Sequence, residues 1–174
     1  MYNKSNLKAA GIASKLNLGI VKPELATVLF TGSKTVATDG YSLIEIDIPF
    51  VDNPTPLNDP ILLNAADVAK IKTGNNDDIF VAVDGTVTVG TATYKIPTLP
   101  ADQFPKYEEV LPTGEPVTTV TVNAQYLASL VAILAKLPND TTHVKIAFYG
   151  DRKPLILTVK GHQNARAVLM PIVL

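Results

Sequence analysis

Three asparagines, spaced about 60 residues apart, constrain the fold of this chain more than any other feature of its sequence. Asn3, Asn64 and Asn123 each stand directly before a segment whose apolar residues have helical spacing. Asparagine is a preferred helix N-cap, because its side-chain oxygen accepts a hydrogen bond from a backbone N–H of the first turn that has no partner inside the helix. The sequence therefore predicts that one structural unit occurs three times.

The segments around these asparagines follow the same order of elements. In the second copy, the strand PILL precedes the cap, the helix AADVAKIK follows it, and NNDD leads into the strand IFVAV. In the third copy, the strand VTTVTV is followed by the helix AQYLASLVAILAKL and the strand HVKIAFYG. The first copy lacks the leading strand, since only Met1 and Tyr2 precede its cap. We predict an α+β fold of three strand-helix-strand modules with antiparallel sheets, with the helices together on one side.

Short turns are predicted between the strands where glycine, aspartate and serine cluster. These turns are Gly32–Ser33, Asp39–Gly40, Asp84–Gly85 and Asp151 to Lys153.

Composition excludes several classes of protein. Hydrophobic residues make up 47% and charged residues 18% of the chain, which is typical of a compact folded protein and not of a disordered one. The chain has no cysteine, so disulfides and thiolate chemistry are excluded. A net charge of −1 argues against a strongly basic nucleic-acid-binding protein and leaves room only for a local basic face. No apolar run reaches membrane-spanning length and no signal peptide is evident, so we expect a cytoplasmic protein.

The first predicted helix separates lysines from apolar residues. Lys4, Lys8 and Lys15 fall on one narrow face at about 100° per residue. The apolar residues Leu7, Ala10, Ala13 and Leu16 occupy the other face.

The other two predicted helices are less basic, with Lys70 and Lys72 on the second and Lys136 on the third, which has a core row of Leu127, Leu130, Leu134 and Leu137. Contact with DNA phosphates would therefore be strongest at the first helix. For any one helix taken alone, such lysines more often form a solvent-exposed face than a DNA-binding one.

Three short motifs occur at residues 36–47, 104–112 and 167–174. VATDGYSLIEID resembles a segment of the bacterial sliding clamps, the β subunit of DNA polymerase III, that reads ATDG followed by an aromatic residue or His and a leucine. FPKYEEVLP resembles the connector between the second and third clamp domains, and AVLMPIVL resembles the clamp's C-terminal V-x-MP-x-x-L. The motifs have the family's order, and the resemblance covers nearly the whole chain.

The resemblance implies a DNA-clamp-like fold and a domain organisation. Residues 1–115 look like the complete second domain of a clamp, with two modules, and residues 116–174 look like the second half of the third domain, with one module. On this interpretation the chain is a shortened clamp that lacks the family's first domain and the first half of its third. In the family, a ring of such modules places the helices around DNA.

In the family, the three motifs converge on a pocket that accepts a short hydrophobic peptide from polymerases and other replication and repair proteins. Leucine, valine, methionine and proline suit such a concave apolar site. The Asp39–Gly40 turn would present Tyr41 and Leu43 at its rim. Carried over by position, the resemblance assigns the pocket to Leu25, Thr38, Gly40, Tyr41, Ser42, Leu43, Pro105, Glu109, Val110, Val168, Met170, Pro171, Ile172, Val173 and Leu174.

The motifs depart from the family pattern at three places. Tyr41–Ser42 stands where the family usually has His-Arg, Glu108–Glu109 where it often has a basic pair, and Ile172–Val173 where it has Met-Arg. Basic or polar anchors have thus become neutral, acidic or apolar. A peptide with acidic or polar ends is expected to bind less well than in the family, and a more apolar or basic one to be preferred.

Two binding mechanisms and a catalytic alternative are open from the sequence. In the first mechanism, several copies of the chain close into a ring around double-stranded DNA, and the third module pairs across a subunit boundary. In the second, the protein is a non-encircling adaptor or decoy that binds partner peptides only, which the scarcity of lysines on the third helix favours. Catalysis is less favoured, because His143 and His162 show no spacing typical of a triad or a metal site.

The expected partners follow from these mechanisms. They are a DNA polymerase or other replication protein that supplies a short peptide motif, double-stranded DNA, and further copies of the chain. No membrane, cofactor, metal site or catalytic residue is predicted.

Overall fold

The computed structural model describes residues 1–13, 22–48, 57–75, 77–137, 142–150 and 152–172. Contacts divide the chain into two compact units, Met1–Leu111 (unit 1) and Pro112–Leu174 (unit 2). The division falls near the predicted boundary after residue 115. That the two units correspond to one complete and one half clamp domain stays a prediction.

Unit 1 combines short helices with antiparallel strands. In chain order it contains α1 (Lys4–Lys8), α2 (Ala10–Ala13), a 3-10 helix (Pro23–Ala26), β1 (Thr27–Phe30), β2 (Lys34–Thr38), β3 (Leu43–Asp47), β4 (Ile61–Asn64), α3 (Ala65–Val68), β5 (Ile79–Val81), β6 (Thr86–Val89), β7 (Ala92–Lys95), β8 (Thr98–Pro100) and two further 3-10 helices, Ala101–Gln103 and Tyr107–Val110. Unit 2 contains α4 (Ala124–Leu134), β9 (Val144–Ala147), β10 (Leu155–Val159) and β11 (His162–Leu169).

The strands form three antiparallel sheets. Unit 1 has a five-stranded sheet in the order β3-β2-β1-β4-β8 and a three-stranded sheet in the order β5-β6-β7. Unit 2 has a three-stranded sheet in the order β11-β10-β9. In the larger sheet, Val28 lies opposite Leu63 and Leu29 opposite Val36. The predicted α+β class with antiparallel sheets is confirmed.

All three predicted asparagine caps are confirmed. The Oδ1 atom of Asn3 accepts from the backbone N–H of Ser5 at 2.8 Å, and that of Asn64 from Asp67 at 3.1 Å. Asn123 Oδ1 accepts from the backbone N–H of Gln125 at 2.9 Å. Each bond satisfies a donor of a first helical turn, which explains why a helix begins at each of these positions.

The centre of the five-stranded sheet is buried on both faces, as the fully buried pattern of β1 shows. Val28 and Phe30 point to the larger of two apolar clusters in unit 1. Ala10 and Ala13 of α2 and Ala65 of α3 lie in the same cluster. Small side chains on both helices allow their backbones to approach each other. Leu29 points to the opposite face and joins a second, smaller cluster.

One fully buried polar residue ties the first helix to the sheet. The Nδ2 atom of Asn6 donates to the backbone oxygens of Ile46 at 3.0 Å and Asp47 at 3.3 Å, and to Thr35 Oγ1 at 3.3 Å. Its Oδ1 accepts from the backbone N–H of Asn3 at 3.0 Å. Both ends of the amide are therefore bonded, as a buried amide requires.

Three sequence predictions about element bounds are wrong. The first helix is interrupted at Ala9, so that α1 and α2 replace one continuous helix. The second helix ends at Val68, because the next bonds tighten: the N–H of Lys70 bonds to Asp67 O and that of Ile71 to Val68 O. Lys70 and Lys72 therefore follow this helix.

The third wrong prediction is the strand VTTVTV. In the described part of the chain no strand pairs with residues 117–122, and Val117 is exposed. Val120 and Val122 nevertheless pack against the core of unit 2 beside Leu127 and Leu130. The alternating pattern correctly predicted that Val120 and Val122 pack against the core. A strand also needs a neighbouring strand with free backbone groups, which the pattern does not reveal.

The N-cap of α4 allows the capping role of these asparagines to be measured. We expect Asn123→Ala to lower the free energy of unfolding of unit 2 by about 1 kcal/mol, because two first-turn N–H groups lose their acceptor. Urea unfolding followed by circular dichroism would measure it, with Gln125→Ala in the same turn as the matched control. An unchanged midpoint for Asn123→Ala would contradict the capping role.

Candidate functional site

A cleft of about 300 Å³ lies beside the Asp39–Gly40 turn in unit 1, and we call it the turn cleft. It brings together residues from the first 3-10 helix, from the turn between β2 and β3, and from the connector motif. The lining residues are Leu25, Thr38, Gly40, Tyr41, Ser42, Leu43, Pro105, Lys106, Tyr107 and Val110.

The turn is held by side chains as well as by its backbone. Asp39 Oδ1 accepts from the backbone N–H of Tyr41 at 2.9 Å and of Ser42 at 2.6 Å, and from Ser42 Oγ at 3.0 Å. Thr38 Oγ1 donates to the backbone oxygen of Ser42 at 2.7 Å and accepts from the N–H of Gly40 at 3.1 Å. The bonds that the Asp39 carboxylate accepts from Ser42 and Tyr41 favour its ionised form and hold its pKa below the usual value.

Glycine is needed at the centre of this turn. Gly40 has φ +84°, a conformation that residues with a side chain rarely adopt. The following residue, Tyr41, is 97% exposed. The turn thus presents a flat aromatic side chain to solvent beside an apolar cleft.

Two buried aromatic residues anchor the connector motif. Phe104 and Tyr107 meet edge to face, with ring centroids 6.1 Å apart, and pack on Leu29 and Val36 of the sheet. Burial, together with the neighbouring Glu108, raises the pKa of the Tyr107 hydroxyl. Because these rings are held, Pro105 and Lys106 between them and Val110 after them line the cleft.

The connector differs from the prediction in one respect. Glu109 does not line the turn cleft, whereas Lys106 does. The 3-10 helix Tyr107–Val110 turns the Glu109 side chain to solvent, where its Oε1 lies 4.0 Å from Lys106 Nζ. Both side chains are exposed, so this ion pair contributes little to stability.

A second cleft, of about 580 Å³, lies in unit 2, and we call it the tail cleft. It forms where the residues after β11 pass the first half of α4. A hydrogen bond from the N–H of Ile172 to the oxygen of Thr121, 2.8 Å long, holds the tail in place. The lining residues are Asn123, Tyr126, Ser129, Leu130, Val168, Leu169, Met170, Pro171 and Ile172.

The predicted pocket residues are thus divided between two clefts, one in each unit. The described tail residues of the prediction, Val168, Met170, Pro171 and Ile172, line the tail cleft, and the others, except Glu109, line the turn cleft. Val173 and Leu174 lie outside the described residues. A single pocket formed by all of them stays a prediction.

Sequence reasoning missed several lining residues. Tyr126, Ser129 and Leu130 share one face of α4, a spacing of three and four residues that was available from the sequence. Leu130 was assigned to the core, and it also packs there. Lys106 and Tyr107 had no local signal, because only the folded connector directs them to the cleft.

The predicted DNA-facing lysines are in varied environments. Lys4 Nζ donates to Asn75 Oδ1 at 3.0 Å, and Lys70 Nζ pairs with Asp67 at 2.8 Å. Lys8, Lys72 and Lys136 are exposed. Lys15 lies outside the described residues, and a DNA-facing role for the set stays a prediction.

The described residues contain neither a candidate metal site nor a candidate membrane-spanning helix. Within them, no group of three or more histidine, aspartate and glutamate side chains is arranged to hold a metal ion. No helix in this part of the chain is both long and apolar enough to cross a membrane.

No protein-family model and no curated protein matches the sequence. Solved structures do match. The β sliding clamp of Caulobacter crescentus has a TM-score of 0.64 at 19% identity, over 95% of this chain and 47% of that one. The fold is that of a bacterial sliding clamp. The DNA polymerase III β chain of Streptococcus pneumoniae has a TM-score of 0.65 at 17% identity, over 98% of this chain and 48% of that one.

Another match is the Helicobacter pylori β clamp bound to a DNA ligase peptide, with a TM-score of 0.51 at 16% identity, over 90% of this chain and 46% of that one. The present chain therefore spans about half the length of the clamps that it matches. The resemblance of the chain to sliding clamps is confirmed at the level of the fold.

The lowered pKa of Asp39 makes the turn sensitive to acid. We expect its carboxyl group to titrate below about 3.9, the value for an unfolded chain. Because the pKa is depressed by folding, the contribution to stability is present above that value and is lost as the pH falls through the folded-state pKa. NMR titration of the side-chain carboxyl would measure it, with Asp39→Ala used to assign the signal. A midpoint at or above the unfolded value would contradict the hydrogen-bonded turn.

Proposed function

We propose that this protein is a sliding-clamp-like accessory protein of DNA replication or repair, which binds short hydrophobic peptides of polymerase-type partners in the cytoplasm and has no catalytic role. The observation that carries the proposal is the turn cleft. On a clamp fold, it groups Leu25, Tyr41, Leu43, Pro105 and Val110, which are distant in sequence, around one apolar groove.

The chemistry of the groove supports a peptide ligand. Apolar side chains line the groove, and Val110 and Tyr41 are largely exposed. A leucine or phenylalanine bound there would remove apolar surface of both the peptide and the protein from water. Burying one such side chain contributes about 1.5 to 3 kcal/mol, which is partly offset by the loss of freedom on binding. We expect a dissociation constant on the order of micromolar for a peptide with two or three apolar anchors.

The neighbours support the same proposal by analogy. The Helicobacter pylori clamp is bound to a DNA ligase peptide, and the Caulobacter crescentus clamp holds polyethylene glycol at a putative β-motif tethering region. Peptide recognition by the present chain is proposed from these proteins together with its own two clefts.

The exposed end of the connector allows a sharp test of the turn cleft. We expect Val110→Asp to weaken binding of a fluorescein-labelled hexapeptide with two leucines and one phenylalanine by about tenfold or more, because a charge would enter an apolar site. Val110 is 72% exposed, so the fold should tolerate the change. Fluorescence anisotropy would measure the dissociation constant.

The matched control is Val83→Asp, since Val83 is also an exposed valine of unit 1 and does not line the cleft. Equal losses in both variants, or no binding by the unmodified protein, would contradict the proposal.

Encirclement of DNA by a ring of several chains is the second candidate. It is favoured by the exposed apolar residues Tyr126 and Ile133 on α4, which a second copy could cover, and by the exposed Lys8. Against it, Lys4 and Lys70 are already engaged within the chain. The alternative is an adaptor or decoy that binds peptides without encircling DNA.

Solution mass separates these two mechanisms. A ring predicts a defined multiple of 18.6 kDa by light scattering across a concentration series, and loss of DNA binding when Lys4, Lys8 and Lys15 are all changed to glutamate. A monomer at all concentrations would rule out the ring and leave the peptide clefts as the site. Unchanged DNA binding in the triple variant would contradict a DNA-facing role for the first helix.

A further inference from the structure

Four acidic residues are direct sequence neighbours of residues that line the turn cleft, although none of them lines it. Glu24 precedes the lining residue Leu25, Asp39 lies between Thr38 and Gly40, and Glu108 and Glu109 lie between Tyr107 and Val110. Consecutive Cα atoms are about 3.8 Å apart, so the backbone of each acidic residue lies close to the wall of the cleft. We call these four residues the acidic border.

The positive charges near the cleft are fewer than the negative charges of the acidic border, and two of them are paired with carboxylates. Lys106 lines the cleft, but its Nζ lies 4.0 Å from Glu109 Oε1, so part of its charge is compensated. Lys34 is near enough to Tyr107 for its charge to influence the pKa of that hydroxyl. Its Nζ atom forms an ion pair with Glu45 Oε1 at 2.8 Å. Lys22 stands at the start of the 3-10 helix that carries Glu24. Negative charge predominates among the groups on these elements.

We propose that the turn cleft selects apolar peptides that are flanked by lysine or arginine, and discriminates against peptides with acidic flanks. This inference rests on the proposed peptide binding and names the chemistry of the partner. An apolar groove attracts the centre of the peptide, whereas the acidic border acts on the residues that leave the groove. Complementary charge of this kind sets specificity and association rate more than affinity.

The discrimination should be moderate and dependent on salt. The border residues are at the surface, where each charge interaction is weak and screened over a Debye length of about 10 Å at 0.1 M salt. Acting together, they should give about a tenfold difference in dissociation constant between basic and acidic peptides at low salt. The difference should shrink towards equality at high salt.

Three labelled peptides with the same apolar centre test this inference. They carry lysine, glutamine or glutamate at both ends, and their dissociation constants are measured by anisotropy at about 50 mM and about 500 mM NaCl. The expected order at low salt is lysine tightest, glutamine intermediate and glutamate weakest. The double variant Glu24→Gln/Glu108→Gln should reduce the difference between the lysine and glutamate peptides severalfold. The control is Asp59→Asn/Asp78→Asn, two exposed acids of unit 1 that do not adjoin lining residues.

The outcomes separate this inference from the proposed function. Tight binding of the glutamine peptide with no preference between the other two would overturn charge selection and leave peptide binding intact. A preference for the acidic peptide would also overturn it. Failure of all three peptides to bind would overturn both proposals, and a preference unaffected by the double variant would show that the acidic border is not its source.

Discussion

The centre of the five-stranded sheet of unit 1 is buried on both faces, and the candidate site depends on the residues that cover the face opposite the helices. β1 alternates between the two cores, with Phe30 on the side of the helices and Leu29 on the other. Phe104 and Tyr107 of the connector cover the second face. The apolar surface that they bury stabilises the sheet and, as a consequence, holds the connector beside the Asp39–Gly40 turn.

Polar groups define where the elements of this fold begin and how they are joined. The three asparagine caps supply acceptors that the first turns of the helices lack, and the buried Asn6 joins α1 to the β2–β3 hairpin through fully paired donors and acceptors. Apolar burial alone would allow helices to slide along a sheet. Directional bonds of this kind select one arrangement, because leaving any of these groups unpaired in the interior is costly.

A clamp fold by itself does not determine what a protein binds, since function is carried by particular sites. Of the three expected departures from the family's motifs, Tyr41–Ser42 and Glu108–Glu109 are in or next to the segments that form the turn cleft, and Ile172–Val173 is in the C-terminal motif. The fold therefore supplies an apolar groove, whereas the residues around it would set the charge that the proposed peptide partner meets. The proposed preference for peptides with basic flanks follows from the acidic residues around the groove and not from the fold itself.

What the sequence alone determined is local. The caps and the turn at Gly40 were predicted correctly, because each depends on hydrogen bonds and backbone conformations within a few residues. Tertiary structure decided the rest. Residues 117–122 alternate like a strand but have no described partner strand, α3 ends at Val68, and the connector folds so that Lys106 and not Glu109 lines the cleft. These outcomes depend on which distant backbone groups and apolar surfaces are available for pairing, which is a property of the folded chain.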